Sequence, residues 1–253
     1  EPKCQFARQC GGCQLQALSY EKQLEFKTSK VRGHLERIGG FTDIPMEKIL
    51  GMDQPFHYRN KAQFPVGKSK DGRIITGFYA GRTHSIIENR DCALGVTRNK
   101  EVLDRVIAHM EKFHIQPYDE NTGKGLVRHV LIRYGFFTDE MMVCLIINGE
   151  KLPGEEALVK SLRQIPETVS VMVNVNKKRN NVILGEKVRL LWGQPYITDK
   201  IGEISYQISP LSFFQVNPYQ TGRLYGKALE YAQLSGNETV WDLYCGIGTI
   251  SLF

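Results

Sequence analysis

Apolar positions along the chain change period several times. Between residues 19 and 38 they recur at Tyr20, Leu24, Val31, Leu35 and Ile38, with Lys22, Lys30 and Arg37 on the other side. That is the spacing of one helical face. Ser19 offers an N-cap and Gly39-Gly40 a stop. Two short, partly alternating runs follow, 60–66 and 73–79, around Gly-Lys-Ser-Lys-Asp-Gly, and predict a β-hairpin with a basic tip. A third strand is expected over 85–88. Helical spacing returns from a Thr97 cap to about 113, with Val102, Leu103, Val106, Ile107 and Met110 inward. Strands are then predicted over 126–134 and 140–147, a short helix over 154–163, and strands over 169–175, 182–184, 188–192 and 203–208. The pattern is that of an α+β domain with an antiparallel sheet.

Near residue 210 the pattern changes. A helix is predicted over 218–234 after an Asn217 cap, then a hydrophobic strand over 239–243, then Cys-Gly-Ile-Gly-Thr and a helix starting at Ile250. Strand, glycine turn, helix is the opening unit of an α/β Rossmann-like sheet, which needs several more such units. The expected organisation is therefore a central domain over residues 1–210 and the truncated start of a second domain over 211–253.

With 42% hydrophobic and 24% charged residues, the 253-residue chain is not a disordered, collagenous or coiled-coil sequence. Its apolar runs fall far short of the roughly 20 residues of a membrane span. No secretory leader opens it, so a cytoplasmic location is expected. The net charge of +6 is uneven. Residues 1–90 hold 15 Lys and Arg against 9 Asp and Glu, while residues 201–253 hold 2 against 4. A basic lobe beside a mildly acidic one suits a polyanion-binding module, although ordinary scatter of solvated lysines gives the same numbers.

Three of the six cysteines, Cys4, Cys10 and Cys13, fall in a glycine-bearing loop with the spacing Cys-x5-Cys-x2-Cys. Clustered thiols in such a chain point to metal or redox chemistry. Cys92, after a polar turn, is the best fourth ligand. Four thiolates suit a [4Fe–4S] cluster or structural zinc. A single Cys-x2-Cys, where zinc sites usually have two, tilts the reading toward iron–sulfur. Cys144, inside Met-Met-Val-Cys-Leu-Ile-Ile, reads as a core thiol, and Cys245 as a small packing residue.

In Asp242-Leu-Tyr-Cys-Gly-Ile-Gly-Thr, Gly246 and Gly248 clear space for a ligand at the turn. The Asp-x-x-x-Gly-x-Gly pattern suits S-adenosylmethionine better than a dinucleotide. Phe213 and Phe214, beside Gln215 and Asn217, could stack a base, but a buried Phe pair and an Asn N-cap account for them more simply. Arg59 and Lys61, with Arg128 and Arg133, make a candidate phosphate-facing stripe on strands.

In this order the motifs resemble the family of RNA (uracil-5-)-methyltransferases. The resemblance rests on Cys-x5-Cys-Gly-Gly-Cys-Gln-Leu-Gln, Tyr20-Glu-x-Gln-Leu-x-x-Lys27, His57-Tyr-Arg-Asn-Lys, Asp91-Cys92, Val127-Arg-His-Val-Leu-Ile-Arg133, Phe213-Phe-Gln-Val-Asn217 and the glycine turn. The Cys set is similar to the iron–sulfur branch that modifies 23S ribosomal RNA, whereas the transfer-RNA enzymes commonly lack it. The resemblance implies that Cys4, Cys10, Cys13 and Cys92 ligate a [4Fe–4S] cluster. It implies that Gln215 contacts S-adenosylmethionine and helps position the target uracil, and that Tyr244 and Thr249 match cofactor-contacting positions. Many relatives have Asn in place of Thr249. It allows the helix over 19–38 to pack on the catalytic domain. The implied route is covalent: a Cys thiolate adds to uracil C6, C5 takes the methyl group, and a Glu removes the C5 proton. Both groups are expected beyond Phe253, so residues 1–253 alone are expected to be inactive. Two rivals are a transfer-RNA methyltransferase and a non-catalytic RNA-binding module held by zinc.

Overall fold

The computed structural model describes residues 1–253. Nearly continuous apolar segments form its centre, as expected of strands covered on both faces. Seven strands build one sheet: β1 (Lys61–Lys68), β2 (Ile74–Tyr79), β3 (Ile86–Glu88), β4 (Val127–Tyr134), β5 (Met141–Ile147), β6 (Thr168–Val175) and β7 (Lys187–Gly193), in the order β3-β2-β1-β4-β5-β6-β7. The sheet is mixed, which corrects the antiparallel expectation. β5 and β6 run parallel, joined by the crossover helix Glu155–Leu162; the other neighbouring pairs are antiparallel. A parallel pair needs such a crossover, and the short amphipathic run between the two strands supplies it.

In chain order the helices are α1 (Tyr20–Arg37), α2 (Arg98–Lys112), α3 (Glu155–Leu162) and α4 (Pro218–Ala232). α2 and α3 cover one face of the sheet: Leu103, Val106 and Met110 with Leu158 and Leu162 meet Phe64, Val130, Ile132, Val143 and Leu145. On the other face Leu131, Met142, Cys144 and Ile146 meet a two-stranded ribbon, β8 (Ile197–Ile201) and β9 (Ile204–Ile208), together with Phe214 and Tyr225 of α4. Cys144 is fully buried there, as a core thiol should be.

Three predicted elements do not form, and one strand escapes the pattern. Residues 182–184 form no strand. Asn176 holds their carbonyls through Nδ2, and Asn174 brackets Gly185 through both its amide atoms. The β8 strand escaped the pattern because its central inward residue is Asp199, fully buried, whose carboxylate accepts the Phe136 and Phe137 N–H groups. Residues 239–243 are not a strand, and turns rather than a helix follow at 246–251. Val240, Trp241 and Leu243 are exposed, with no neighbouring strand against which to pair. α1 matches its predicted bounds, and the Ser19 side chain accepts from the Lys22 N–H, yet none of its residues is buried.

Gly77 on β2 shows how closely this sheet is fitted. A Cβ there would lie 1.9 Å from the Ile87 carbonyl and 2.5 Å from the Asn89 nitrogen. Both neighbours are backbone, so β3 must move. Gly77→Ala is expected to destabilise the protein by about 2 kcal/mol, read as a lowered melting temperature. An unchanged melting temperature would show that the edge strand yields freely.

Candidate functional site

The motif His57-Tyr-Arg-Asn-Lys joins two sites. On one side it lies along the loop after Cys92: the His57 and Arg59 N–H groups donate to the Ala93 and Leu94 carbonyls, and His57 Nδ1 lies 2.9 Å from the Gly95 carbonyl. On the other side it holds the segment that carries Gln215. The Asn60 N–H donates to the Val216 carbonyl, and Asn60 Nδ2 to the Gln215 carbonyl at 2.9 Å. The Asn60 carbonyl in turn receives the Tyr134 N–H. Asn60 is 4% exposed and makes this clamp. No local pattern marks Asn60 out, since its Gln215 partner lies 155 residues away.

The cysteine loop folds back on β2. The Gly11 N–H donates to the Tyr79 carbonyl at 2.9 Å, and the Gly81 N–H donates to the Gln9 carbonyl. A Cβ on Gly11 would press to 3.1 Å from that Tyr79 oxygen. This docking brings Cys4, Cys10 and Cys13 toward Cys92. Burial pushes the Cys13 thiol up to about 11, with Cys92, Cys10 and Cys4 adding to the rise and Arg59 opposing it. Burial also raises Cys92; the Leu94 and Gly95 N–H groups oppose that rise, while Cys4 and Cys10 add to it. Cys4, Cys10 and Cys92 thus lie near enough to Cys13 to influence it, and N–H groups reach the sulfurs of Cys92 and Cys10. No three His, Cys, Asp or Glu side chains are grouped to hold a single metal ion.

The expected cationic stripe divides. Arg59 and Lys61 are partly accessible. Lys61 lies opposite Arg133 on β4, and burial with the Arg133 and Arg59 charges pushes it down to about 8. Arg128 and Arg133 are 5% and 2% exposed and do not form a phosphate-facing surface. Each sits on a part of β4 that other segments cover, so its guanidinium turns to backbone carbonyls. Arg128 Nη1 donates to Asn176 and Lys178, and Arg133 Nη2 to Pro210 and Ser212.

The two phenylalanines also separate: Phe214 is 3% exposed in the core and Phe213 is 71% exposed. A buried pair is therefore not what forms. Asn217 caps α4, accepting from the Gln220 N–H, and lines a cavity of about 360 Å³ with Gln215, Thr221 and Leu50. In the glycine turn Gly246 and Gly248 have φ of 59° and 75°, and no atom comes within 4 Å of a Cβ built on Gly246. Asp242 Oδ2 is buried without a partner. Tyr244 is fully exposed. Thr249 instead faces the core: its Oγ1 is 3.0 Å from the Tyr225 hydroxyl, and its carbonyl accepts from Tyr206.

Comparison with known proteins gives a consistent set. The chain is 48% identical over 254 residues to an uncharacterized RNA methyltransferase of Halalkalibacterium halodurans, and 46% to one of Clostridium tetani; each match covers all of this chain and 55% of the relative. An uncharacterized RNA methyltransferase of Bacillus cereus is 47% identical with the same coverage. The chain thus spans about half the length of the curated relatives it matches. The crystal structure of Pyrococcus abyssi tRNA (uracil-54, C5)-methyltransferase, in complex with S-adenosyl-L-homocysteine, superposes with a TM-score of 0.76 and 28% identity. That match covers 98% of this chain and 56% of the archaeal one. No family model matches the chain. No helix is long and apolar enough to cross a membrane.

Proposed function

We propose that these residues belong to an S-adenosylmethionine-dependent RNA methyltransferase that modifies uracil C5. The observation that carries this is the match over 98% of the chain to the fold of a uracil-C5 methyltransferase bound to the product form of that cofactor. When bound, S-adenosylmethionine supplies the methyl group. Gln215, held by Asn60, would face cofactor and target base. Asp242, with an unpartnered oxygen, and the open turn at Gly246 and Gly248 would receive the cofactor. Tyr244 can turn to it from solvent; Thr249 would have to leave Tyr225. The covalent route would draw its C6 nucleophile and its base from outside residues 1–253. Here Cys144 is buried in the core, with a thiol pushed up to about 12. Residues 1–210 form the RNA-recognition part in this reading, and 211–253 open the methyltransferase domain.

Cys4, Cys10, Cys13 and Cys92 would hold a [4Fe–4S] cluster. The influence of Cys92, Cys10 and Cys4 on the Cys13 thiol supports this, and the same four thiolates would also suit zinc. The cysteine pattern favours 23S ribosomal RNA as substrate, and with it a cytoplasmic location. The archaeal neighbour acts on tRNA, which keeps transfer RNA as a second reading. Full-length protein with labelled S-adenosylmethionine is expected to place 5-methyluridine in 23S ribosomal RNA. Methylation of transfer RNA alone would establish the second reading, and methylation of neither would overturn both.

Of the expected stripe, Arg59 and Lys61 are the cations left to meet phosphate. Arg59→Ala is expected to weaken RNA binding and lower its salt slope by about one. Lys61 sheds its proton as pH rises through about 8, so affinity should fall between pH 7 and 9, and Lys61→Met should remove that fall. A salt slope and pH profile unchanged in the two variants would show that RNA runs elsewhere.

A further inference from the structure

A cleft of about 1030 Å³ opens away from Gln215, between the β1–β2 hairpin and the loop 116–125, with the start of β4 as its floor. A β-bulge shapes that floor. Val127 pairs with Ile147 and His129 with Ile146, so Arg128 is the extra residue and the alternation of faces breaks. Arg128 and His129 therefore both line the cleft. The Arg128 guanidinium lies 4.3 Å from the centre of the Tyr118 ring. Arg128 Nε and His129 Nδ1 are buried without partners, and His129 is 6% exposed.

The wall carries an aromatic stack. The Tyr79 and His84 rings lie 15° from parallel, with centroids 4.9 Å apart. Glu120 faces both, accepting from the Tyr79 hydroxyl and meeting His84 Nδ1. The His84 side chain is 57% exposed, so the pair is fixed while one ring stays open. The cysteine loop braces the corner that carries the stack, through its bonds to Tyr79 and Gly81. The carboxylates around the cleft are engaged: Glu120 with His84, Asp119 with Asn121 and Thr122, and Glu88 with Arg90. Lys68, Lys70 and Lys124 stand exposed on the rim, while the ion pairs of this region use Arg73, His84 and Arg90.

We propose that this cleft binds an unstacked nucleobase of single-stranded RNA and its flanking phosphates, at a second site separate from the methyl-accepting position. The base stacks on His84, backed by Tyr79, and the three lysines meet the phosphates. A ring already fixed by Tyr79 and Glu120 loses little freedom on stacking, which favours this mode. Arg133 and His129 lie on one face of β4 about 13 Å apart along the strand, a span that a few nucleotides of single strand cover. The inference rests on the RNA reading given above.

The test uses full-length protein and a short labelled single-stranded RNA. His84→Ala is expected to weaken binding on the order of tenfold with an unchanged salt slope, because stacking releases no counterions. Lys68→Ala with Lys70→Ala should weaken it and reduce the slope. His84→Trp should restore or tighten binding, since the larger ring stacks better. A merely structural His84–Glu120 contact would be lost in the Trp variant as well. For methyl transfer, His84→Ala should raise the KM for RNA and leave kcat in place. RNA binding that falls with Arg59→Ala but not with His84→Ala overturns this inference alone. A wild-type protein that binds no RNA overturns the RNA reading itself.

Discussion

Cys92→Ser is expected to strip the iron from the full-length protein, while Cys144→Ser leaves it in place. Cys92 is the proposed ligand far from the others in sequence, so a cluster held there would close a loop of nearly ninety residues back to Cys4. A cross-link closing a loop of that length stabilises a fold by on the order of 4 kcal/mol. The His57 and Arg59 backbone also lies along the loop that follows it, so the loss should reach Asn60 and through it Gln215. Iron and sulfide content, with a melting curve for each variant, checks this. Cys144→Ser puts a hydroxyl among Leu131, Met142 and Ile146 and should cost stability without touching the metal. Equal iron in the two variants would sink the ligand assignment. One zinc and no iron in the wild type would replace the cluster with the zinc-held alternative.

Arg133→Met should lower stability by about 2–4 kcal/mol, because charge-assisted bonds to buried carbonyls are lost and the carbonyls are left unpaired. Methionine keeps the apolar contacts of the stem, so the deficit isolates the guanidinium. The Pro210 and Ser212 carbonyls that it holds lie just before Phe213 and Gln215. The cofactor KM should therefore rise in the same variant. Arg133→Lys should rescue only part of the loss: one nitrogen, Nη2, reaches both carbonyls and an ammonium can also donate twice, but the lysine stem is one bond shorter. The urea midpoint should fall with an unchanged denaturant slope. A midpoint equal to wild type would show that the turn over 209–212 holds itself.

What the sequence revealed depended on how local each cause is. Periodicity placed α1, α2, α4 and most strands close to their observed bounds, because a helical face and an N-cap are settled within a few residues. It failed where partners lie far away. β8 hides behind Asp199, whose buried carboxylate is satisfied by the distant backbone of Phe136 and Phe137. Residues 182–184 look like a strand, but the Asn176 side chain holds the Val182 and Ile183 carbonyls and Asn174 holds the adjoining Gly185. Arg128 and Arg133 sit on a strand whose sequence does not say which face other segments cover. At the cysteine loop, spacing singled out Cys4, Cys10 and Cys13 and a polar turn singled out Cys92, whose charge reaches the Cys13 thiol. Asn60 and the Tyr79–His84 stack carried no signal, since their role comes from who meets them.

The tie between residues 50–53 and α4 bears on how the molecule is made. Gln220 and Arg223 of α4 hold the carbonyls of Leu50 and Gly51, and Arg223 pairs with Asp53, across some 170 residues. Tyr20 of α1 reaches the same stretch through the Met52 N–H, and Leu24 lies against Gly51. During synthesis that stretch has only α1 to lean on until α4 has left the ribosome. α1, with no buried residue of its own, must wait as a marginal helix. Although it precedes the whole sheet in sequence, α1 is thus among the last of these elements to be fastened, and a translation product interrupted before α4 would leave it loose beside an already folded sheet.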